Sequence, residues 1–176
     1  GGTSAIPQTI VTVDLHGDEM PPRPRAEPGL FLSGRLSRDG KRLAIYLAGA
    51  RNQIAILDLE RGTAARLTSE WDNANPAWTP DDSRITFGSN RGGGAYNIYW
   101  QRSDGSGEAE RLTTSDYNQG AYAWTGKTLV YTDTDPKSRG DIWMLSIDDR
   151  KPHPLVKTAA AEAAPAVSPN GNWLAF

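Results

Sequence analysis

The sequence predicts an all-β fold: a β-propeller of four-stranded antiparallel blades, about 44 residues to the repeat, present as three full blades and two half-blades. Three observations carry this. The β-rich runs IVTVDL, IAILDL, IYWQRS and IWMLSI begin at residues 10, 54, 98 and 142, three equal steps of 44. A turn-and-strand layout recurs in register with them, in RLSRDGKRLAIY (35–46), AWTPDDSRITF (77–87), AWTGKTLVY (123–131) and AVSPNGNWLAF (166–176). A short closing run also recurs, as ARLT (65–68), ERLT (110–113) and HPLV (153–156). Four short strands per unit of this length is the mark of a propeller blade.

Taken in order, residues 1–9 form a tail and 10–27 an outer half-blade. In that half-blade MPPRPRAEP (20–28) stands where a fourth strand is expected. So many prolines cannot donate to a central ladder, and the segment reads as extended. Full blades follow at about 28–68, 69–113 and 114–156, and an inner half-blade at 157–176. The strand runs are rich in Ile, Val, Tyr, Trp and Leu and bounded by Gly, Pro, Asp and Asn. In TPDD and SPNG, proline presets φ at the second turn position, and Asp, Asn or Gly accepts the next. The third blade shortens this turn to TGK (125–127). The helix-forming stretch AAAEAA (159–164) is too short to stand as a helix and falls, in register, in an inter-blade loop. The two half-blades can pair to close a ring of four. The competing account is a fragment of a larger ring, whose open strand edges would favour a homo-oligomer.

Composition is that of an ordinary globular chain, 38% hydrophobic and 23% charged over 176 residues. A net charge of −2 gives no footprint for nucleic acid. No apolar run is long enough to enter a membrane. Cysteine is absent, which excludes disulfides and thiol chemistry. GGTSAIPQ at the N-terminus lacks the basic start and apolar stretch of a signal peptide, and Gly1 and Gly2 read as the remnant of a trimmed chain.

The unit NPAWTPDDSRITFGSNRGGGAYNIYWQRSDGSGEAERLT (75–113) resembles the TolB-type propeller repeat: an apolar-Trp-Ser-Pro-Asp-Gly turn, a strand, a polar loop, Ile-Tyr-hydrophobic-Asp, then Arg-Leu-Thr. The likeness runs from about residue 10 to 176. The C-terminal stretch is similar to propellers fused to bacterial serine/threonine kinases, and such repeats also occur in prolyl-oligopeptidase-type peptidases. The resemblance implies a bacterial, periplasmic or extracytoplasmic setting and a protein or peptide partner. Its alternative is the propeller portion of a larger peptidase or receptor kinase.

Catalytic signatures are missing: no Gly-x-Ser-x-Gly elbow, no Walker loop, no Cys/His metal cluster, and no cofactor motif. The chain is read as not an enzyme, with His16 and His153 isolated in different units. RGGG (91–94) lies between two strands and reads as a hairpin loop. Asp133 and Asp135 begin a calcium-loop pattern that Lys137 and Ser138 break. Asp81, Asp82, Asp148 and Asp149 are turn residues. Trp78, Trp124, Trp100 and Trp143 fall at packing positions between blades. Trp71 differs, standing in the polar loop SEWDNAN (69–75) beside Glu70, with Tyr117 and Asp116 at the matching places 46 residues on. In a propeller these inter-blade loops share a face with the loops carrying Arg51, Arg91, Lys137 and Arg139. The expected partner-binding residues are therefore Glu70, Trp71, Arg91, Asp116, Tyr117 and Arg139, with capping of blade ends as the plainer role for the aromatic–acid pairs.

Overall fold

Blades assemble because their central strands bury consecutive residues, Gln53–Leu57 in one and Ile85–Ser89 in another, and so must be covered on both faces. The computed structural model describes residues 8–11, 13–19 and 30–176. Its strands are antiparallel throughout. The first blade is β1 (Phe31–Leu36), β2 (Arg42–Leu47), β3 (Gln53–Asp58) and β4 (Thr63–Arg66). The second is β5 (Asn73–Trp78), β6 (Arg84–Ser89), β7 (Asn97–Arg102) and β8 (Glu110–Arg111). The third is β9 (Gln119–Thr125), β10 (Thr128–Asp133), β11 (Asp141–Ser146) and β12 (Pro152–Val156). Each is a four-stranded sheet in chain order, and a hairpin of β13 (Ala166–Val167) and β14 (Leu174–Ala175) follows. No helix occurs among the described residues, and 159–164 is loop.

Ala44, Ile54 and Ile56 of the first blade meet Ile85, Phe87 and Tyr99 of the second. Ile98 and Leu112 of the second meet Leu129, Tyr131 and Leu145 of the third. Burying each isoleucine, leucine or phenylalanine among them contributes about 1.5–3 kcal/mol. The repeat-position tryptophans sit at these seams, as expected. Trp78 Nε1 donates to the Arg35 carbonyl at 2.8 Å, and Trp124 Nε1 to Thr86 Oγ1 at 3.1 Å.

The closing Arg-Leu-Thr run is a strand end rather than a full strand. β4 stops at Arg66 and β8 at Arg111. Beyond them the N–H groups of Leu67 and Thr68 both turn to the Ile54 carbonyl, while Thr68 Oγ1 accepts the Ile54 N–H at 2.9 Å. Leu112, Thr113 and Ile98 repeat this in the second blade. The side-chain oxygen replaces a ladder carbonyl, so the chain can leave the sheet with no orphan donor. In the third blade Val156 has no such oxygen, and the ladder continues to it opposite Ile142.

The N-terminal run at 10–15 does not form a ladder among the described residues. Val13 and Glu19 make one isolated bridge, and Ile10 packs on the outer face of the first blade with Ile45 and Leu57. The Pro-rich stretch at 20–28 lies outside the described residues.

Candidate functional site: the loop face

Antiparallel order puts the β2–β3, β6–β7 and β10–β11 loops at the same end as the inter-blade connections. Those connections are clamped from both sides. Asp72 Oδ1 accepts the Asn52 N–H of the first blade at 2.8 Å, and the Asp72 N–H donates to Asn90 Oδ1 of the second at 2.9 Å. Asn118 repeats the clamp: its Oδ1 accepts from the Tyr96 N–H at 2.9 Å, and its carbonyl from the Thr134 N–H at 2.9 Å.

This clamp presents Trp71. Its φ is 63°, a left-handed conformation that a bulky side chain rarely adopts. The carbonyl is held by Gln53 Nε2 at 2.8 Å and Asn73 Nδ2 at 3.2 Å, and Asn73 Nδ2 also donates to the Glu70 carbonyl at 2.8 Å. The residue is left 46% exposed. Arg91 lies half-buried nearby, its guanidinium 5.4 Å from the Phe87 ring centre and 4.9 Å from that of Tyr99. Its Nε donates to Ser89 Oγ at 3.1 Å and Nη2 to Asn73 Oδ1 at 3.3 Å. Burial pulls its pKa below the usual arginine value, opposed by Tyr99 and Glu70. Glu70, Trp71 and Arg91 line one groove of about 440 Å³ between the first and second blades, with Gln101 and Glu108.

A second groove, about 320 Å³, lies between the second and third blades. Tyr117 lines it with Asp133, Asp135, Asp141, Trp143 and Lys157. Asp133 accepts from Gln119 Nε2 at 2.8 Å. Asp141 is 1% exposed; its Oδ2 accepts from Ser138 Oγ at 2.9 Å and pairs with Lys157 Nζ at 3.1 Å. The bond to Asp141 raises the Lys157 pKa. Burial raises that of the Tyr131 phenol beside it.

The other expected residues lie apart. Asp116 is exposed on the connecting loop and lines neither groove. Arg139 is exposed in the turn after Asp135, with φ 64°, its N–H donating to the Asp135 carbonyl at 2.8 Å. Arg51 borders a groove of about 520 Å³ on the outer face of the first blade. Sequence reasoning passed over Asp72, Asn118, Asp141, Lys157 and Glu162. The last is buried in the alanine-rich loop, where its Oε1 accepts from the Thr158 hydroxyl. The repeat itself carried a signal for Asp141, which stands 44 residues after Asn97.

The opposite face is made of the turns. Pro80, Asp82, Gly126 and Pro169 surround a recess of about 480 Å³ with Trp78 and Trp124 at its wall. His16 and His153 are both exposed. Among the described residues no three or more His, Cys, Asp or Glu are arranged to hold a metal ion.

Comparison with known proteins agrees with this architecture. The family model described as the TolB beta propeller domain matches residues 23–176. The structure of TolB from Acinetobacter baumannii superposes with a TM-score of 0.77 at 22% identity, covering 95% of this chain and 42% of that one. A putative TolB from Agrobacterium tumefaciens gives 0.66 at 23% identity, covering 80% and 56%. A prolyl endopeptidase structure gives 0.59 at 17% identity, covering 73% of this chain and 22% of that one. The chain thus spans about half, or less, of the solved structures it resembles.

Proposed function

Because the chain belongs to the TolB β-propeller domain family, we propose that it is a non-catalytic scaffold that binds a protein or peptide segment through its loop face. The observation that carries this is the Trp71–Arg91 groove. An indole is held partly in solvent by a strained, doubly clamped backbone, next to a guanidinium seated on two rings. Trp, Tyr and Arg are the residues that dominate binding energy at interfaces. Rigid anchors flanked by Glu70 and Glu108 suit a segment that offers both an apolar and a polar group. The role needs no cofactor, and family membership supports a bacterial, extracytoplasmic setting.

The test is selection of peptides from a random dodecapeptide phage library. Titration of the selected peptides then compares the unaltered chain with a variant carrying Trp71→Ala, Arg91→Ala and Tyr117→Ala. A loss of roughly tenfold or more in affinity is expected from removing three such anchors. Unchanged affinity would overturn the assignment of this face. The likeness to a prolyl endopeptidase propeller favours a second reading, in which the chain is the propeller portion of a larger enzyme or receptor. A hydrolase or kinase domain in the same open reading frame would establish it.

A further inference from the structure

The two grooves stand at equivalent places in successive blades, 44 residues apart, the first lined by Arg91 with Glu70 and Glu108, the second by Asp133, Asp135 and Asp141 with Lys157. Phe87 pairs with Tyr99 across β6 and β7, and Tyr131 pairs with Trp143 across β10 and β11. At the strand ends Ser89 opposes Asn97, and Asp133 opposes Asp141. Where Arg91 lies over the first aromatic pair, the third blade has Asp135. Arg111, which lies 5.8 Å from the Tyr99 ring centre and bonds Asn97 Oδ1, has its basic counterpart 46 residues on in Lys157, which reaches Trp143 and Asp141 in the same way. Beside the first groove the Arg91 guanidinium covers the buried Phe87–Tyr99 platform, so neither ring lines the groove. In the second the platform remains, ringed by three carboxylates and reached by one ammonium, Lys157.

Two atoms of the second groove's lining residues are buried without a protein partner: Asp141 Oδ1, an acceptor, and Trp143 Nε1, a donor. Both residues sit on one face of β11, two positions apart. An unpartnered buried polar atom is costly, and a carboxylate so enclosed calls for a positive group with several donors. Lys157 satisfies Oδ2 only. Its side chain is half in solvent and its Nζ lies 5.7 Å from the Trp143 ring centre.

We propose that the groove between the second and third blades binds a guanidinium, the arginine side chain of a bound peptide, and that Lys157 is its displaceable resident. The planar fork has enough donors for Asp141 and Asp133 or Asp135 together, which an ammonium with its single point of charge does not match. Its face can lie on Trp143 and Tyr117 as that of Arg91 lies on Phe87 and Tyr99. A carbonyl of the same peptide is the kind of acceptor that Trp143 Nε1 lacks. The proposal rests on the loop-face reading only in that the groove opens there.

The experiment uses a small probe, so it does not depend on the phage-selected peptides. Nα-acetyl-arginine amide is titrated into the ¹⁵N-labelled chain, following the Trp143 indole N–H resonance, identified by its loss in Trp143→Phe. Nα-acetyl-citrulline amide, the neutral isostere, is the control. A saturable shift is expected with half-saturation on the order of millimolar, as suits one side chain, with citrulline at least roughly tenfold weaker. Lys157→Gln, a change at a half-exposed side chain, should tighten binding several-fold, and Asp135→Asn should weaken it. No saturable shift, an equal response to citrulline, or an unchanged midpoint in Lys157→Gln would overturn the proposal. So would saturable binding of calcium chloride where arginine gives none. A shift confined to the Trp71 indole overturns it too, while leaving the Trp71–Arg91 surface standing.

Discussion

Thr113 shows how one side chain can end a strand. Its hydroxyl oxygen accepts the Ile98 N–H at 3.0 Å and its proton goes to Gln119 Oε1 in the next blade. Thr113→Val keeps the shape and removes both bonds inside a buried seam. The expected loss is about 1–3 kcal/mol, read as a lower urea midpoint with an unchanged slope, while Thr113→Ser should retain most of the stability. A Thr113→Val midpoint equal to that of the unaltered chain would show the cap to be dispensable. At this scale the sequence was legible in part. The recurrence of Leu-Thr was visible, but as two more strand residues, because strand propensity does not reveal that a hydroxyl competes with the ladder. Asp72 and Asn118 were invisible for a different reason. Short polar residues in loops are commonplace, and only tertiary placement between two blades makes them clamps. Trp71 was legible because an indole in a polar loop is not.

The turns are the elements in which sequence and structure agree most closely. In the first, second and last copies a Ser or Thr hydroxyl bonds the Asp or Asn two residues on: Ser37 to Asp39, Thr79 to Asp81, Ser168 to Asn170. The shortened copy is a two-residue hairpin turn, with Gly126 at φ 53° between the paired Thr125 and Thr128. What could not be read is how one turn seats on the next. A Cβ at Gly171 would lie 2.3 Å from Thr125 Oγ1 of the neighbouring blade, and φ there is 75°. Gly171→Ala should therefore loosen the β13–β14 hairpin, read as faster amide exchange of Trp173, whose N–H donates to Ser168 Oγ at 3.0 Å. Adding Thr125→Ala should restore part of the protection, since it removes the clash but not the left-handed strain. Equal exchange in the single variant and the parent would refute the packing argument. The same kind of hydroxyl–carboxylate bond, in these turns and in the β7–β8 loop, sets the acid response. Hydroxyl bonds from Ser37 and Thr79 hold Asp39 and Asp81 below 3.8, and that from Ser106 holds Asp104 down to about 2. Folded pKa values lie under the unfolded ones, so this stability is complete above pH 3.8 and is lost as pH falls through the folded values, the Asp104 part last, near pH 2. The urea midpoint should decline over that window, and the Asp104→Asn chain should show less of the decline at its lower end. A midpoint flat from about pH 5 to 2 contradicts this linkage.

At the scale of the whole molecule, what matters is which blade faces remain uncovered. The three complete blades and their two seams were legible because a period of 44 recurs in chemically similar runs. The disposition of the ends was not, because pairing across a ring depends on geometry that no local pattern encodes. Each seam buries an apolar face on both sides. At the extremes, among the described residues, Leu36 is 61% exposed, and Trp173 and Phe176 of the last hairpin are 75% and 64% exposed. The described N-terminal residues do not cover that hairpin, since Ile10 packs on the first blade instead. Covering an aromatic side chain there would contribute about 1.5–3 kcal/mol each, and an unpaired strand edge adds hydrogen-bonding groups that favour a second chain. The 176-residue chain, 19.1 kDa as a monomer, should therefore associate in solution, with a light-scattering mass that rises with concentration. Trp173→Lys with Phe176→Lys should lower that mass at a given concentration without reducing the strand content seen by circular dichroism. A mass that stays at 19.1 kDa over a wide concentration range would defeat the argument, because the exposed aromatics would then have to be covered within one chain. The loop-face grooves lie between complete blades, so arginine titration of the second groove should give the same midpoint in the double-lysine variant as in the parent.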